Sequence, residues 1–158
     1  MREILFRGQT RRFGEKVKNF AGDPMPSNWV YGGVCCGEGA FSIIYAYMDE
    51  EKEIPIEKHV VYTDTIGQYT GLTDKNGKRI FEGDIVKCSD ETYGYGFIAI
   101  VMFGNPNGEY NWGFQLKRIR GASANTDILL WVDMEESGAY IEVIGNIHDN
   151  PELLKGGE

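Results

Sequence analysis

The chain has 158 residues, 42% of them hydrophobic and 13% aromatic, and a formal net charge of −8. The length suits one ordinary domain or two small ones and excludes a large barrel and a two-lobed enzyme, while the apolar content supplies a core and excludes a disordered chain. A balance this acidic argues against sequence-blind grip on a phosphate backbone, which needs clustered lysine and arginine to displace counterions.

The opening MREILFRGQTRR has charges on both sides of a very short ILF run, unlike a signal peptide, and no apolar run approaches the roughly 18 residues that cross a bilayer. A cytoplasmic protein without membrane contact is expected. Residues 1–18 hold Arg2, Arg7, Arg11, Arg12, Lys16 and Lys18 against Glu3 and Glu15, a local +4 that leaves −12 for the rest of the chain. A basic arm around Arg11 and Arg12, meeting the acidic remainder of a second copy, is the self-association this asymmetry favours.

A first short strand is expected around Ile4 to Arg7. The polar stretch Gln9 to Asn28, with GDPMPSN near its end, has breakers too close together for a long helix and reads as a loop. WVYGGVCCGEGAFSIIYAY then has the form of a hairpin, with strands from Trp29 to about Cys36 and from Phe41 to Tyr47 joined at Gly37, Glu38 and Gly39. In its second strand Phe41, Ile43, Tyr45 and Tyr47 alternate with Ser42, Ile44 and Ala46, so one face is buried. The acidic cluster Asp49, Glu50, Glu51 and Glu53 closes that unit, and His59 to Ile66 is a connecting strand by its Thr and Val content.

From Gly67 the texture is a regular succession of short strands and turns. In YTGLTDKNGKRIFEGDIV, Asp74 to Gly77 have reverse-turn chemistry centred on Asn76-Gly77, Glu82-Gly83-Asp84 make a second bend, and Ile85 to Cys88 start a strand. The alternative makes Glu82 and Asp84 a catalytic pair or a metal claw. Such a pair needs a pocket or further ligands, and neither histidine lies near it in sequence. Strands follow at Phe97 to Phe103 and Tyr110 to Leu116, the latter pointing Tyr110, Trp112, Phe114 and Leu116 inward, with the GNPNGE turn between them. Ile128 to Val132 and Tyr140 to Ile144 supply two more, about five strands in all, the count of a small closed or nearly closed barrel. Asn150 as cap and Pro151 at the first helical position give a short terminal turn of helix.

GQYTGLTDKNGKRIFEGDIV, with FRGQ near the start, WVYGG at Trp29 to Gly33 and IEVIGNIHDNPELL at the end, resembles the YopX family of phage and prophage proteins. The resemblance implies an SH3-like small β-barrel in the second half behind an N-terminal segment, in a bacterial host cell, and it brings no enzymatic activity to carry over. Residues 87 to 140 match less distinctly.

Candidates for chemistry are few. Only His59 and His148 titrate near neutral pH unaided, no GxSxG elbow is present, and no glycine loop precedes a helix in the way a dinucleotide site requires. Cys35, Cys36 and Cys88, odd in number with two adjacent and no CxxC, are expected as free thiols, so neither metal nor cofactor is expected. Trp29, Tyr31, Tyr93, Tyr95, Tyr110, Trp112 and Trp131 offer either core filling or a platform for stacked bases beside Lys117, Arg118 and Arg120. Tyr93-Gly94-Tyr95-Gly96 forms a hairpin tip suited to contacts.

The chain therefore reads as mainly β, with an N-terminal β-rich region at residues 1–66 and an SH3-like barrel at 67–158 ended by a helical turn. The expected function is that of a non-enzymatic phage- or prophage-derived accessory protein, a homo-oligomer that also contacts an unknown host or phage protein. Its candidate surface is Tyr93, Tyr95, Lys117, Arg118, Arg120, Arg11 and Arg12. A single-stranded nucleic-acid-binding small barrel is the alternative.

Overall fold

The computed structural model describes residues 4–12, 28–35, 37, 39–46, 57–109, 112–132 and 138–155. The chain divides into two units, Met1–Tyr69 and Thr70–Glu158.

The first unit contains strands β1 (Phe6–Arg11), β2 (Asn28–Cys35), β3 (Phe41–Ala46) and β4 (Glu57–Tyr62), and the start of β5 (Gly67–Thr73). They pair antiparallel in the order β4-β3-β2-β1-β5. The hairpin expected from the alternation of FSIIYA is present as β2 and β3, with Cys35 opposite Ile43. The buried side of β3 is the smaller set, Ser42 and Ile44, packed with Val61, whereas Phe41 is exposed. The reason lies in β1: a Cβ on Gly8 would stand 3.0–3.1 Å from Val61 and Ile44, so β1 passes closely over them and the sheet curls on itself.

Strand β1 runs on through Gln9 to Arg11, into the stretch read as loop. The connecting strand expected at His59 to Ile66 ends early, at Tyr62, where a 3-10 turn, Thr63–Thr65, takes over. Thr65 explains the stop. Its hydroxyl donates to the Tyr62 carbonyl at 2.7 Å and accepts the Gln9 N–H at 2.9 Å, a local bond that competes with the extended chain. The acidic cluster at 49–53 and residues 13–27 lie outside the described residues.

The second unit holds the end of β5, then β6 (Arg79–Phe81), β7 (Asp84–Asp90), β8 (Tyr95–Gly104), β9 (Gly113–Gly121), helix α1 (Leu129–Val132), β10 (Ala139–Asn146) and a 3-10 turn, Pro151–Leu154. Its main sheet has the order β10-β7-β8-β9. Alternation sends Val86 and Cys88 of β7, Phe97, Ala99 and Val101 of β8, Leu116 of β9 and Ile141 of β10 to one face, where Ile128 and Trp131 complete the core.

The sheet is open, so of the small barrel expected, closed or nearly closed, the closed form is not seen. Both outer edges are occupied by the chain itself. On β10, the Ile141 carbonyl accepts the Lys75 N–H at 3.0 Å and the Val143 N–H donates to the Asp74 carboxylate at 2.9 Å. On β9, Leu116 donates its N–H to the Thr126 carbonyl at 2.9 Å and Gln115 bridges to Asp127. Backbone groups that closure would use are thereby taken.

Three further expectations are corrected. The strand expected at Ile128 to Val132 is instead the helix Leu129–Val132, because Asp127 caps it: its carboxylate accepts the Leu129 N–H at 3.0 Å while Asn125 accepts the Asp127 N–H at 2.8 Å. The strand expected from Tyr110 starts at Gly113, whose φ of +142° breaks the alternation, so Trp112 points outward with 76% of its surface exposed. Pro151 opens the terminal turn as expected, but Asn150 makes no capping bond there and instead accepts the Asn146 N–H at 3.2 Å.

Candidate functional site

Asp74 of the DKNG run and Asp84 of the EGD run serve the backbone. Asp74 is only 6% exposed. Its Oδ1 accepts the N–H groups of Asn76 and Lys78, both at 2.9 Å, and its Oδ2 accepts that of Val143. Asp84, deeply buried, accepts the Phe81 N–H at 2.8 Å. Across the bend, Gly83 donates to the Val101 carbonyl and accepts from Ile147. Asp90 repeats the device at the next turn, accepting from Thr92 and Tyr93 at 2.9 and 3.2 Å. Buried carboxylates held this way are anchored by charge-assisted bonds to strand ends.

Among the described residues no group of three or more His, Cys, Asp or Glu is placed to hold a metal ion. His59 hydrogen-bonds the Glu57 carboxylate at 3.1 Å, and the His148 backbone N–H donates to Asn146 at 3.0 Å. Cys35 is exposed; Cys88 lies in the core, where burial pushes its thiol well above the ordinary range.

The candidate site is a groove of about 510 Å³ at the end of the β7–β8 hairpin. Lys87, Ile98 and Arg120 form a row across three strands, Ile98 standing directly opposite both cations. In the next row Lys117 stands opposite Ile100. Directly paired residues share a face, so Lys87, Lys117 and Arg120 surround two isoleucines on the face away from the core. Among the described residues none of these three cations is ion-paired, while Glu142, opposite Lys87, is bound by Lys75 at 2.9 Å. That bond holds the Lys75 ammonium above its ordinary value, and Lys75 also lies 4.0 Å over the Tyr140 ring. Arg120 is oriented by two backbone carbonyls, Leu153 and Lys155, at 3.4 and 3.3 Å.

The residues singled out in the sequence divide on inspection. Tyr95 and Arg120 line the groove together. Tyr93 is exposed on the rim, its ring 6.4 Å from that of Tyr95. The Tyr95 ring turns edge-on to Trp131 at 6.3 Å, as Phe97 does at 5.1 Å. Arg118 pairs with Ala99 across a bulge and so stands on the other face from Lys117 and Arg120; its guanidinium donates to the Gly121 carbonyl at 2.7 Å. In the first unit Arg11 belongs to β1, and Arg12 donates to both Asp64 oxygens at 2.8 and 3.0 Å while lying 4.1 Å over the Tyr62 ring. Arg7 is buried, its guanidinium 4.6 Å over the Trp29 ring. Lys87 is the site residue that sequence reasoning missed. Only the strand register brings it beside Arg120.

A second exposed feature ends the β8–β9 hairpin. Phe103, opposite Phe114 in register, meets that ring at 5.1 Å and Trp112 at 6.4 Å, both edge-to-face. Phe103 is half exposed.

Residues 35–155 match the family model described as YopX protein. No curated protein matches the chain. Among solved structures, protein EF1440 from Enterococcus faecalis is similar at 28% identity over 73% of this chain and 75% of that one, with a TM-score of 0.28.

Proposed function

From the premise that the chain belongs to the YopX family, we propose that it is a non-enzymatic accessory protein of phage or prophage lineage. It acts in the cytoplasm of a bacterial host through protein contacts, among them contacts with a second copy of itself. The observation that carries this is the aromatic cluster of Phe103, Trp112 and Phe114 at the β8–β9 tip, with Trp112 76% exposed. Covering one large ring is worth about 1.5–3 kcal/mol, and edge-to-face pairing adds about 0.5–1.5. A two-fold contact uses the same cluster twice, which is how a small tip supports a dimer. The absence of enzymatic work is supported by the employment of Asp74, Asp84 and Asp90 on backbone N–H groups. Kinship of the second unit to SH3-like barrels belongs to the same proposal, carried by its succession of short antiparallel strands rather than by closure.

Light scattering across a concentration series tests the self-association. The wild-type mass should rise toward a dimer, and Trp112→Ser should remain monomeric with an unchanged melting temperature. A wild-type monomer at every accessible concentration removes the second copy from the proposal.

A further inference from the structure

The groove and the aromatic tip are separate features of the second unit, and the groove has its own chemistry. Its row of Lys87, Ile98 and Arg120 alternates cation, apolar, cation across β7, β8 and β9, with Lys117 one row along. Neighbouring strands lie about 4.8 Å apart, so the backbones carrying Lys87 and Arg120 are about 10 Å apart, and their long side chains reach outward from there. An extended peptide presents positions i, i+2 and i+4 to one side over about 13 Å. An acid, an apolar residue and an acid at those positions match the row, the apolar side chain resting on Ile98 and the carboxylates meeting Lys87 and Arg120.

The polarity of the site excludes a closer match to nucleic acid. The Tyr95 ring is committed edge-on to Trp131, which leaves an aliphatic floor where bases would stack. The groove's own lining includes Asp90, whose carboxylate is held by the Thr92 and Tyr93 N–H groups, and Glu91. A polyanion with one charge per nucleotide meets these acids and the net charge of −8 of the chain at many points, whereas a peptide bearing two acids, set on Lys87 and Arg120, meets them at fewer. Arg120 is pre-oriented by the Leu153 and Lys155 carbonyls, and a guanidinium already fixed in place loses less freedom when a carboxylate arrives.

We propose that this groove docks an extended acidic peptide segment of a partner protein, with Lys87 and Arg120 as its carboxylate contacts and Lys117 as a flanking cation. This deepens the role in protein contacts proposed above while resting on a different surface from the self-association. The test uses the full chain carrying Trp112→Ser, so that loss of self-association leaves the peptide measurement intact. The probe is a fluorescein-labelled peptide with glutamates two positions either side of a leucine, read by fluorescence anisotropy. Binding should weaken as salt rises, and Lys87→Glu, a change at an exposed position with no structural bond to lose, should weaken it by about tenfold. Arg120→Lys, which keeps the charge but not the planar fork, should weaken it less. Equal affinity for the peptide with glutamines in place of glutamates, indifference to Lys87→Glu, no binding at all, or tighter binding of an oligothymidylate of similar length would each overturn the proposal.

Discussion

Asp74→Ala removes one carboxylate and leaves three backbone donors without it: Asn76, Lys78 and Val143. The two turn N–H groups sit on exposed residues, where water replaces the lost acceptor, at about 1 kcal/mol each. The Val143 N–H lies on the β10 edge in a half-buried position, so its loss costs about 2 kcal/mol, and the total is about 3–4 kcal/mol. That is a large share of the 5–15 kcal/mol typical of a folded domain. Asp74→Asn keeps one carbonyl acceptor and turns a donor toward either the turn or the β10 edge, so it should fall between the wild type and the alanine variant. Urea denaturation followed by tryptophan fluorescence measures both, and amide exchange at Val143 reports the edge directly, with protection reduced in each variant. If both variants stay within about 0.5 kcal/mol of the wild type, the ordinary range for surface changes, then Asp74 does not hold the edge.

The remaining predictions use the same apparatus or simpler. Gly121 has φ +99° and a Cβ there would stand 2.6 Å from the Gly96 carbonyl oxygen, whereas Gly77 has φ +78° with nothing within 4 Å. Both alanine variants bear the left-handed strain of about 1–2 kcal/mol, but Gly121→Ala should cost clearly more in denaturant midpoint, and equal costs would show that the contact yields. Asp127→Ala should lower stability by about 1 kcal/mol through loss of the α1 cap, and an unchanged midpoint would refute capping. Cys88 should resist a thiol reagent in the native chain and react only once it is unfolded, while Cys35 reacts in both states. Burial raises the Cys88 thiol, so above the ordinary thiol range the folded chain keeps a proton that the unfolded chain has lost, and stability falls as pH rises. Below that range both states are protonated and the slope vanishes. Cys88→Ala, although less stable at neutral pH, should flatten the alkaline slope; an unchanged slope would assign it to another group.

What the sequence reveals and what it conceals follows from how local each signal is. The β2–β3 hairpin, the NPNG turn between β8 and β9 and the position of Pro151 were legible because period-two alternation and turn chemistry act over a few residues. The placement of Trp112 was not, since Gly113 resets the alternation with a backbone angle that the pattern of side chains does not announce. Helix α1 was read as a strand from its apolar content, although Asn125 and Asp127 already carried the chemistry of a cap. Which face of β3 is buried depended on the close passage of Gly8. Two facts lay beyond any local signal. Lys87 meets Arg120 only across the register of β8, and the Asp74 carboxylate meets Val143 across a separation of 69 residues.

That last contact bears on how the protein meets others. A glycine-rich turn with a buried acid is ordinarily just a way to reverse the chain. Here the same carboxylate that closes the Asp74 turn also takes the outward N–H of β10, and Lys75 beside it takes an outward carbonyl. Thr126 does the same for β9 at the opposite edge. With both edges of this sheet engaged at their middles, a partner strand finds no continuous row of backbone groups there to extend the sheet. At this sheet the contacts proposed above use side chains on the face and the tip. Two such patches are the cations around Ile98 and the rings around Trp112, and a partner that docks on this sheet as proposed meets their side chains and not a free strand edge.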